Sequence, residues 1–230
     1  LDLMLKNLES SRNEISRQNN ELKKLAEVDP LTGFYNRRAL TFYFNEAFNL
    51  SREQGSNLIC IMLDIDHFKS VNDNYGHQVG DEVIKLVTAI SRESLRDTDI
   101  VGRYGGEEFC LVLPDIEIGI ALKIAERIRT NVMNATTYHA FGIERVTISL
   151  GISSTTDGAQ NTNEMIDLAD KALYYSKKNG RNRVTVWKDI AREDSSANAV
   201  DNIDNNATSI SMVNDSTNFF FNKKKKKIKE

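Results

Sequence analysis

Residues 58–66 read LICIMLDID, an apolar run that ends in two aspartates on either side of one isoleucine. An apolar run of this length is typical of a strand that is buried on both faces, and it predicts a strand over residues 58–63. Because strand side chains alternate, Asp64 and Asp66 are expected on one side of the sheet and Ile65 on the other. Buried carboxylates need a partner, and a divalent cation is the usual one where phosphates bind. We therefore predict that Asp64 binds a metal ion, whereas Asp66 caps the following helix or has a mixed role.

Helical and strand patterns alternate on both sides of this run. Helices are predicted over residues 37–50, 81–95, 117–133 and 164–178, and further strands over residues 100–104, 109–113, 146–152 and 184–187. The order β-α-β-β-α-β, with one more helix and strand, predicts a split βαβ, ferredoxin-like core of the α/β (α+β) class. Its sheet is expected to be mixed, mainly antiparallel and surrounded by helices.

The flanking segments differ from this region in composition, so the predicted domains are 1–27, 28–188 and 189–230. Apolar residues recur every seven positions at Leu1, Leu8, Ile15 and Leu22, while the companion positions are half polar. This pattern predicts an N-terminal signalling helix that forms a coiled coil, with a single amphipathic surface helix as the alternative. Residues 189–230 are rich in Asn, Ser and Asp and end in a lysine run, which predicts a disordered tail.

Composition excludes several functional classes. The formal net charge of -3 provides no basic field, so nucleic acid is not expected as a partner. Two cysteines, Cys60 and Cys110, cannot build a disulfide framework or a zinc cluster. We find no apolar run long enough to cross a membrane, which predicts a cytoplasmic domain. A sensor or membrane anchor upstream of Leu1 stays an open alternative.

A second chemical motif is the hairpin Arg103-Tyr104-Gly105-Gly106-Glu107-Glu108-Phe109. Adjacent glycines let a bulky ligand approach the main chain. Glu107 follows them directly and is expected beside Asp64 on a neighbouring strand. Two such carboxylates can hold one or two metal ions, neutralise a triphosphate and activate a hydroxyl. The alternative interpretation is an ordinary hairpin turn.

Several motifs together resemble the GGDEF family of diguanylate cyclases, whose signature appears here in its GGEEF form at residues 105–109. The resemblance extends over residues 28–188. It also rests on Asp29-Pro30-Leu31-Thr32-Gly33 with Asn36-Arg37-Arg38, Asp64-Ile65-Asp66-His67-Phe68-Lys69 with Asn72-Asp73, Gly76-His77 and Gly80-Asp81, Ser149-Leu150-Gly151, Ala169-Asp170-Lys171-Ala172-Leu173-Tyr174, and Lys177-Lys178-Asn179-Gly180-Arg181-Asn182. It implies a nucleotide-cyclase or palm-like fold and the condensation of two GTP molecules into cyclic di-GMP with release of pyrophosphate.

The resemblance also implies a role for each matching residue. Asp64, the main-chain carbonyl of Ile65 and Glu107 resemble the ligands of Mg²⁺ (or Mn²⁺), and Glu107 also resembles the base for the 3′-hydroxyl. Lys69 resembles the cation that stabilises charge on the reacting phosphate. The implied substrate-binding positions are Asn72 and Asp81 for guanine, Leu31 for the wall of the base pocket, His77, Gly105 and Gly106 for nucleotide contact, and Lys177 and Arg181 for the outer phosphates. As alternatives, the cations are solvated surface charges, Asn72 is a turn residue and Asp81 is a first-turn helix acid.

Arg96 and Asp99 form an RxxD pair that precedes Gly105 by a fixed interval. In the family this placement corresponds to an inhibitory product-binding site, and Arg127 resembles its second arginine. The resemblance thus implies a homodimer with GTP as substrate and cyclic di-GMP as product and feedback inhibitor. An exposed ion pair without function is the alternative. Competing functions for the whole chain are a nucleotide receptor without catalysis, a mononucleotide cyclase or polymerase palm, and a coiled-coil scaffold.

Overall fold

The computed structural model describes residues 11–18, 26–135 and 145–191 of the chain. The chain divides into two units after Trp187, and only residues 188–191 of the second unit are described. Residues 11–18 are helical, but most of the heptad positions predicted to form the coiled coil lie outside the described residues, as does nearly all of the tail. Within the described ranges, no helix has the length and hydropathy needed to cross a membrane.

The core of the first unit is a five-stranded sheet. Its strands are β1 (Leu58–Ile65), β2 (Ile100–Arg103), β3 (Glu108–Pro114), β4 (Ile148–Ser154) and β5 (Val184–Val186), in the spatial order β2-β3-β1-β4-β5. The pairs β1–β3, β1–β4 and β2–β3 are antiparallel, and β4–β5 is parallel. The first four strands have the order of a split βαβ core, so the predicted α+β fold with a mixed, mainly antiparallel sheet is confirmed.

Five helices surround the sheet: α1 (Arg37–Gln54), α2 (Phe68–Tyr75), α3 (His77–Glu93), α4 (Ile118–Ala135) and α5 (Thr162–Lys178). The sequence pattern did not predict α2 and began α3 four residues too late. The reason is the break at Gly76, where φ is 84°. That conformation suits glycine and separates α2 from α3. The short helix α2 and the first turn of α3 are largely polar and have little apolar periodicity.

The sheet divides the interior into two apolar cores. Ile59, Ile61 and Leu63 of β1 pack with α3 and α4 in the larger core. Cys60 and Met62 face the opposite way and pack with α1 and α5. All residues of β1 are buried, which confirms the prediction of a strand covered on both faces.

Helix α5 lies unusually close to β4. A side chain at Gly151 would overlap the main chain of Ala169 and Leu173. Hydroxyl groups join the two elements further, since Ser153 donates to the Met165 carbonyl at 2.7 Å and Ser176 donates to the Leu150 carbonyl at 2.8 Å. The last turn of α5 is thereby held near the ends of the central strands.

Residues 26–36, here called the entry segment, run along the outer edge of β2. The Tyr35 N–H donates to the Val101 carbonyl at 2.9 Å, and the Arg103 N–H donates to the Tyr35 carbonyl at 2.8 Å. Asn36 then caps α1, because its side-chain oxygen accepts from the Ala39 N–H at 3.1 Å. The entry segment thus joins the start of the domain to the strand that leads into the Gly-Gly turn.

Candidate active site

Asp64 is a buried carboxylate at the end of β1, 6% exposed. Its Oδ2 lies 2.8 Å from Nζ of Lys177, which reaches it from the last turn of α5. Burial raises the pKa of Asp64 to about 6, and the negative charges of Glu107 and Glu108 add to that effect, while the hydrogen bond and charge of Lys177 oppose it. Burial outweighs the ion pair, so a further cation beside this carboxylate would stabilise its ionised form.

Glu107 lies beside the end of the same strand. The Ile65 N–H approaches the Glu107 carbonyl at 3.4 Å, and the Tyr104 and Gly105 N–H groups donate to the Glu108 carbonyl at 2.8 and 3.2 Å. These bonds close the turn and bring the Glu107 main chain to the strand end. The Gly-Gly-Glu hairpin and Asp64 are therefore neighbours, as the sequence predicts.

The donor set at this position fits Mg²⁺. In the part of the chain that the structure describes, no group of three or more His, Cys, Asp or Glu side chains could hold a metal ion. Mg²⁺ is commonly held by one or two carboxylates together with water and substrate phosphates, so Asp64 and Glu107 are sufficient side-chain ligands. The metal-binding roles of Asp64, Ile65 and Glu107 remain predictions.

Asp66 does not cap the following helix, so that prediction was wrong. The residue before α2 is His67, in a left-handed conformation with φ of 58°. The Asp66 carboxylate instead accepts hydrogen bonds from Thr147, Ser149 and the main-chain N–H of Asn182 at 2.7–3.0 Å. Donors that are distant in sequence occupy both its oxygens, and periodicity around residue 66 gives no sign of them.

A cleft of about 540 Å³ lies between the Gly-Gly turn and the α2–α3 corner. Gly76 turns the chain there, and Gly80 leaves room for the Asn72 amide, which a side chain at residue 80 would displace. The lining includes six of the predicted site residues, Lys69, Asn72, His77, Asp81, Gly106 and Glu107, together with Phe68, Asp73, Ile84 and Arg103. The structure thus gathers a cation, an amide and carboxylates around one space of nucleotide dimensions.

Four predicted substrate-binding residues are not among the lining residues of this cleft. Leu31 is partly buried and packs against the larger core. Gly105 lies in the turn with Glu108, and a side chain there would meet the Glu108 carboxylate. Lys177 pairs with Asp64, and Arg181 is exposed in the loop after α5. Their roles as base wall, nucleotide contact and phosphate ligands stay predictions.

Arg103 is a lining residue to which the sequence analysis assigned no role. Its Nε and Nη2 donate to the Gly106 carbonyl at 3.0 and 2.7 Å, and its Nη1 donates to both Asp29 oxygens at 3.3 and 3.2 Å. Burial acts to raise the pKa of Asp29, but hydrogen bonds from Thr32 and the charge of Arg103 outweigh it, so this pKa is lowered. We call Asp29, Arg103 and the Gly106 carbonyl the hairpin clamp, because they tie the entry segment to the Gly-Gly turn. The only sign of this contact in the sequence was that Asp29 and Arg103 each belong to one of the motifs quoted above.

Arg96, Asp99 and Arg127 lie around the C-terminal end of α3. Asp99 accepts from the Arg96 main-chain N–H at 2.8 Å, and Arg127 donates to the Ser94 carbonyl at 2.8 Å. Burial raises the pKa of Asp99, while the Arg96 hydrogen bond and charge oppose the shift. A cavity of about 320 Å³ lined by Arg96 and Asp99 opens between this helix end and the entry segment.

Arg92 connects that cavity to the entry segment and was not predicted. Its Nη2 donates to the Gly33 carbonyl at 3.1 Å, and its guanidinium lies 4.9 Å from the centre of the Phe34 ring. Arg96 and Asp99 therefore line one cavity together with residues from the start of the domain. Their function in binding product remains a prediction.

Comparison with known proteins agrees with this geometry. The sequence model of the family described as "Diguanylate cyclase, GGDEF domain" matches residues 26–183. The chain is 46% identical over 167 residues to the probable diguanylate cyclase DgcT of Escherichia coli (strain K12), across 71% of this chain and 36% of that protein. It therefore spans little more than a third of the length of this curated relative.

Solved structures are similar over the same region. The coiled coil and GGDEF domain of DgcB from Caulobacter crescentus, in complex with c-di-GMP, has a TM-score of 0.69 at 32% identity, covering 80% of this chain and 98% of that one. The active GGEEF domain of a diguanylate cyclase from Vibrio cholerae has a TM-score of 0.61 at 36% identity, covering 66% and 96%. Since the family match extends over more than half of the chain and the fold and motifs agree with it, this protein belongs to the GGDEF domain family.

Proposed function

We propose that this chain is a diguanylate cyclase that condenses two GTP molecules into cyclic di-GMP. The observation that carries the proposal is the position of Asp64, a buried carboxylate, beside the hairpin whose Glu107 lines one cleft with Lys69, Asn72 and Asp81. Family membership and the names of the relatives support the same activity.

The reaction consists of two equivalent phosphoryl transfers. In each, the 3′-hydroxyl oxygen of one GTP attacks the α-phosphorus of the other, a 3′–5′ phosphodiester bond forms, and the α–β bond breaks. The hydroxyl proton passes to a base, and pyrophosphate leaves with the bonding electrons. One cyclic di-GMP and two pyrophosphates result.

The residues of this chain would divide that work. Asp64, Glu107 and the Ile65 carbonyl would hold Mg²⁺ (or Mn²⁺), which supplies charge neutralisation at the triphosphate. Glu107 would accept the proton of the 3′-hydroxyl. Lys69 lines the cleft and would stabilise charge on the reacting phosphate, while Lys177 and Arg181 would bind the outer phosphates.

Guanine recognition is assigned to Asn72 and Asp81. A carboxylate accepts from guanine N1–H and the 2-amino group, which adenine cannot offer together. The amide of Asn72 is fixed over Gly80, one residue before Asp81. We expect Asp81→Ser to relax the preference for GTP over ATP, because a site built for hydrogen bonds rejects a base that leaves them unmade.

The decisive experiment is incubation of the purified chain with GTP and Mg²⁺ and identification of the products by mass. Glu107→Gln should lower the rate by roughly two to three orders of magnitude, as other losses of transition-state electrostatics do. Glu46→Gln, an exposed change on α1, is the control. Binding of GTP without product formation would identify a receptor instead, and activity in excess chelator would exclude the metal.

Product inhibition is the second part of the proposal. An arginine can grip a phosphate or the guanine O6/N7 edge, and an aspartate can accept from guanine N1 and N2, so Arg96 and Asp99 suit cyclic di-GMP, aided by Arg127. We expect Arg96→Ala to keep the initial rate and lose the slowdown as product accumulates. Lys123→Ala on exposed α4 surface should be inhibited like the unaltered chain, and equal inhibition of Arg96→Ala would refute the assignment.

A further inference from the structure

Asp66 is a buried carboxylate to which the proposed reaction gives no role, and residues 180–182, here called the closing loop, contact it directly. We propose that Asp66 is a positioning residue that fixes the closing loop against the end of β1. It thereby sets the placement of Arg181 for the outer phosphates of the nucleotide. This inference rests on the proposed function.

The contacts of Asp66 are complete and uncharged. The residue is 5% exposed. Its Oδ1 accepts from the Ser149 hydroxyl at 2.7 Å, and its Oδ2 accepts from the Thr147 hydroxyl at 2.8 Å and the Asn182 N–H at 3.0 Å. Three neutral donors from two segments distant in sequence make this side chain a junction between β1, β4 and the loop that follows α5.

The closing loop needs such a support, because its backbone is strained. Gly180, Arg181 and Asn182 have φ values of 105°, 60° and 45°, three consecutive residues in the left-handed region. Glycine and asparagine tolerate this region, but arginine persists there only when its surroundings hold it. The Asn182 side chain also accepts from Nη1 of Arg129 at 2.9 Å, so the loop is held at one end by Asp66 and at its flank by α4.

The two aspartates contact neighbouring parts of the chain with different kinds of bond, Asp64 the end of α5 and Asp66 the closing loop. Asp64 pairs with Lys177 through opposite charges, a contact that an incoming phosphate can replace by binding the lysine itself. Asp66 holds Asn182 through a main-chain hydrogen bond to a carboxylate that is only 5% exposed, so a nucleotide phosphate has little access to it. Lys177 can therefore move from Asp64 to a phosphate while the closing loop, with Arg181, keeps its place.

Two substitutions of Asp66 can distinguish the effect of its hydrogen-bond geometry from the effect of its charge. An asparagine at residue 66 can keep its carbonyl toward Thr147 and Asn182, and the Ser149 hydroxyl can rotate to accept from the new amide. Asp66→Asn thus preserves the geometry without the charge, whereas Asp66→Ala removes both. A role in binding metal or protons would instead make Asp66→Asn as harmful as Asp66→Ala.

The experiment compares the binding of 3′-deoxy-GTP and 3′-deoxy-GMP, both unable to react, by calorimetry in the presence of Mg²⁺. We expect Asp66→Ala to weaken 3′-deoxy-GTP about tenfold and 3′-deoxy-GMP less than twofold, and Asp66→Asn to recover most of the loss. A merely destabilised fold would not discriminate between the two ligands. The double variant Thr147→Val, Ser149→Ala leaves Asp66 in place but removes the two hydroxyl groups that orient its carboxylate, so it should show the same selective loss in smaller degree even if Asp66→Ala fails to fold.

Two outcomes distinguish the proposals. An unaltered chain that binds neither GTP nor 3′-deoxy-GTP would overturn the proposed function and this inference with it. If the unaltered chain binds both, an unchanged ratio of triphosphate to monophosphate affinity in Asp66→Ala or in the Thr147→Val, Ser149→Ala double variant, or an Asp66→Asn variant as impaired as Asp66→Ala, would overturn the inference alone.

Discussion

At the scale of single residues, the site is organised by what the carboxylates at the end of β1 contact. Asp64 is paired with an ammonium group and still has a raised pKa, because burial and the neighbouring glutamates outweigh that one positive charge. The ammonium group of Lys177 thus supplies part of the positive charge that the proposed metal ion would bring to Asp64. Any metal that binds without nucleotide must compete with this ion pair.

This competition gives the first prediction. Lys177→Met should tighten the binding of Mg²⁺ alone by about threefold to tenfold, since a partly buried ion pair is worth roughly 1 kcal/mol. The same change should weaken the binding of 3′-deoxy-GTP. Calorimetry with Mg²⁺ in nucleotide-free buffer measures the first effect, and Lys178→Met, on the adjacent exposed residue, is the control. Equal Mg²⁺ affinities in all three proteins would contradict the competition.

The sequence predicted the approach of the Gly-Gly hairpin to the end of β1, because a buried strand and a glycine hairpin leave few ways to pair, although the residue directly opposite Asp64 is Glu108. It failed at Asp66, for which capping was a reasonable local expectation. The three donors to Asp66 come from residues at least 81 positions away. Arg103 was missed for the same reason, since its partner Asp29 lies 74 residues earlier in the chain. Local pattern cannot pair side chains at such separations without the register of the sheet.

At the scale of elements, the approach of α5 to β4 determines where Lys177 stands. The face of β4 toward α5 presents Ser149, Gly151 and Ser153, three small residues in alternate positions. Their size lets the helix main chain come close to the strand. The sequence motif around Gly151 is therefore explained by packing and not by contact with a ligand.

Gly151→Ala tests this packing. A methyl group there would overlap main-chain atoms of Ala169 and Leu173, so we expect the free energy of unfolding to fall by about 2–3 kcal/mol, as in overpacked cores. Gly119→Ala in α4 is the matched control, because nothing lies within 4 Å of the added atom and alanine favours helix. Urea denaturation measures both changes, and equal stability of the two variants would refute the close approach.

The hairpin clamp is the second device at this scale. Its Asp29 has a lowered pKa in the folded protein, so the ionised carboxylate stabilises the fold above its unfolded pKa of about 4. That contribution is lost as the pH falls through the lower folded pKa. We expect Asp29→Asn to reduce stability by about 1 kcal/mol at pH 7, a discounted value for a partly exposed group.

The pH dependence provides the check on this estimate. The stability difference between Asp29→Asn and the unaltered chain should shrink as urea denaturation is repeated from pH 7 toward pH 3. Asp115→Asn, in the turn after β3 and outside the clamp, should show no comparable narrowing. A difference that stays constant down to the lowest pH would mean that the Asp29 charge is not what holds Arg103.

At the scale of the whole molecule, the proposed product contains two nucleotides, whereas the described residues contain one cleft that gathers several of the predicted nucleotide-binding residues. In the proposed reaction each 3′-hydroxyl reaches the α-phosphorus bound by another copy, which requires two clefts that face each other across a two-fold axis. The heptad pattern of residues 1–25 would raise the local concentration of the second copy. The order of helices and strands was predictable because it follows from the periodicity of the sequence. The arrangement of two copies depends on surfaces that this periodicity does not encode.

Dilution therefore tests the proposed homodimer. The rate per molecule should fall as the protein is diluted, and deletion of residues 1–25 should move that fall to concentrations about a hundredfold higher, the gain that linked modules typically provide. Product formation followed by mass across a dilution series measures both curves. A specific activity that stays constant at low concentration in the shortened chain would rule out a dimer as the active form.

The entry segment also covers the outer edge of β2, which would otherwise be open to pairing with another chain. Strand β2 is the outermost strand of the sheet, and Tyr35 occupies the Val101 carbonyl and the Arg103 N–H that would otherwise face outward. An open strand edge is a template for pairing with another chain and so for aggregation. A chain that begins at residue 26 should remain monodisperse in light scattering, whereas one that begins at residue 36 should associate progressively through β2. We therefore expect the solubility of this domain to depend on the entry segment, which covers the β2 edge of the sheet and also anchors the hairpin.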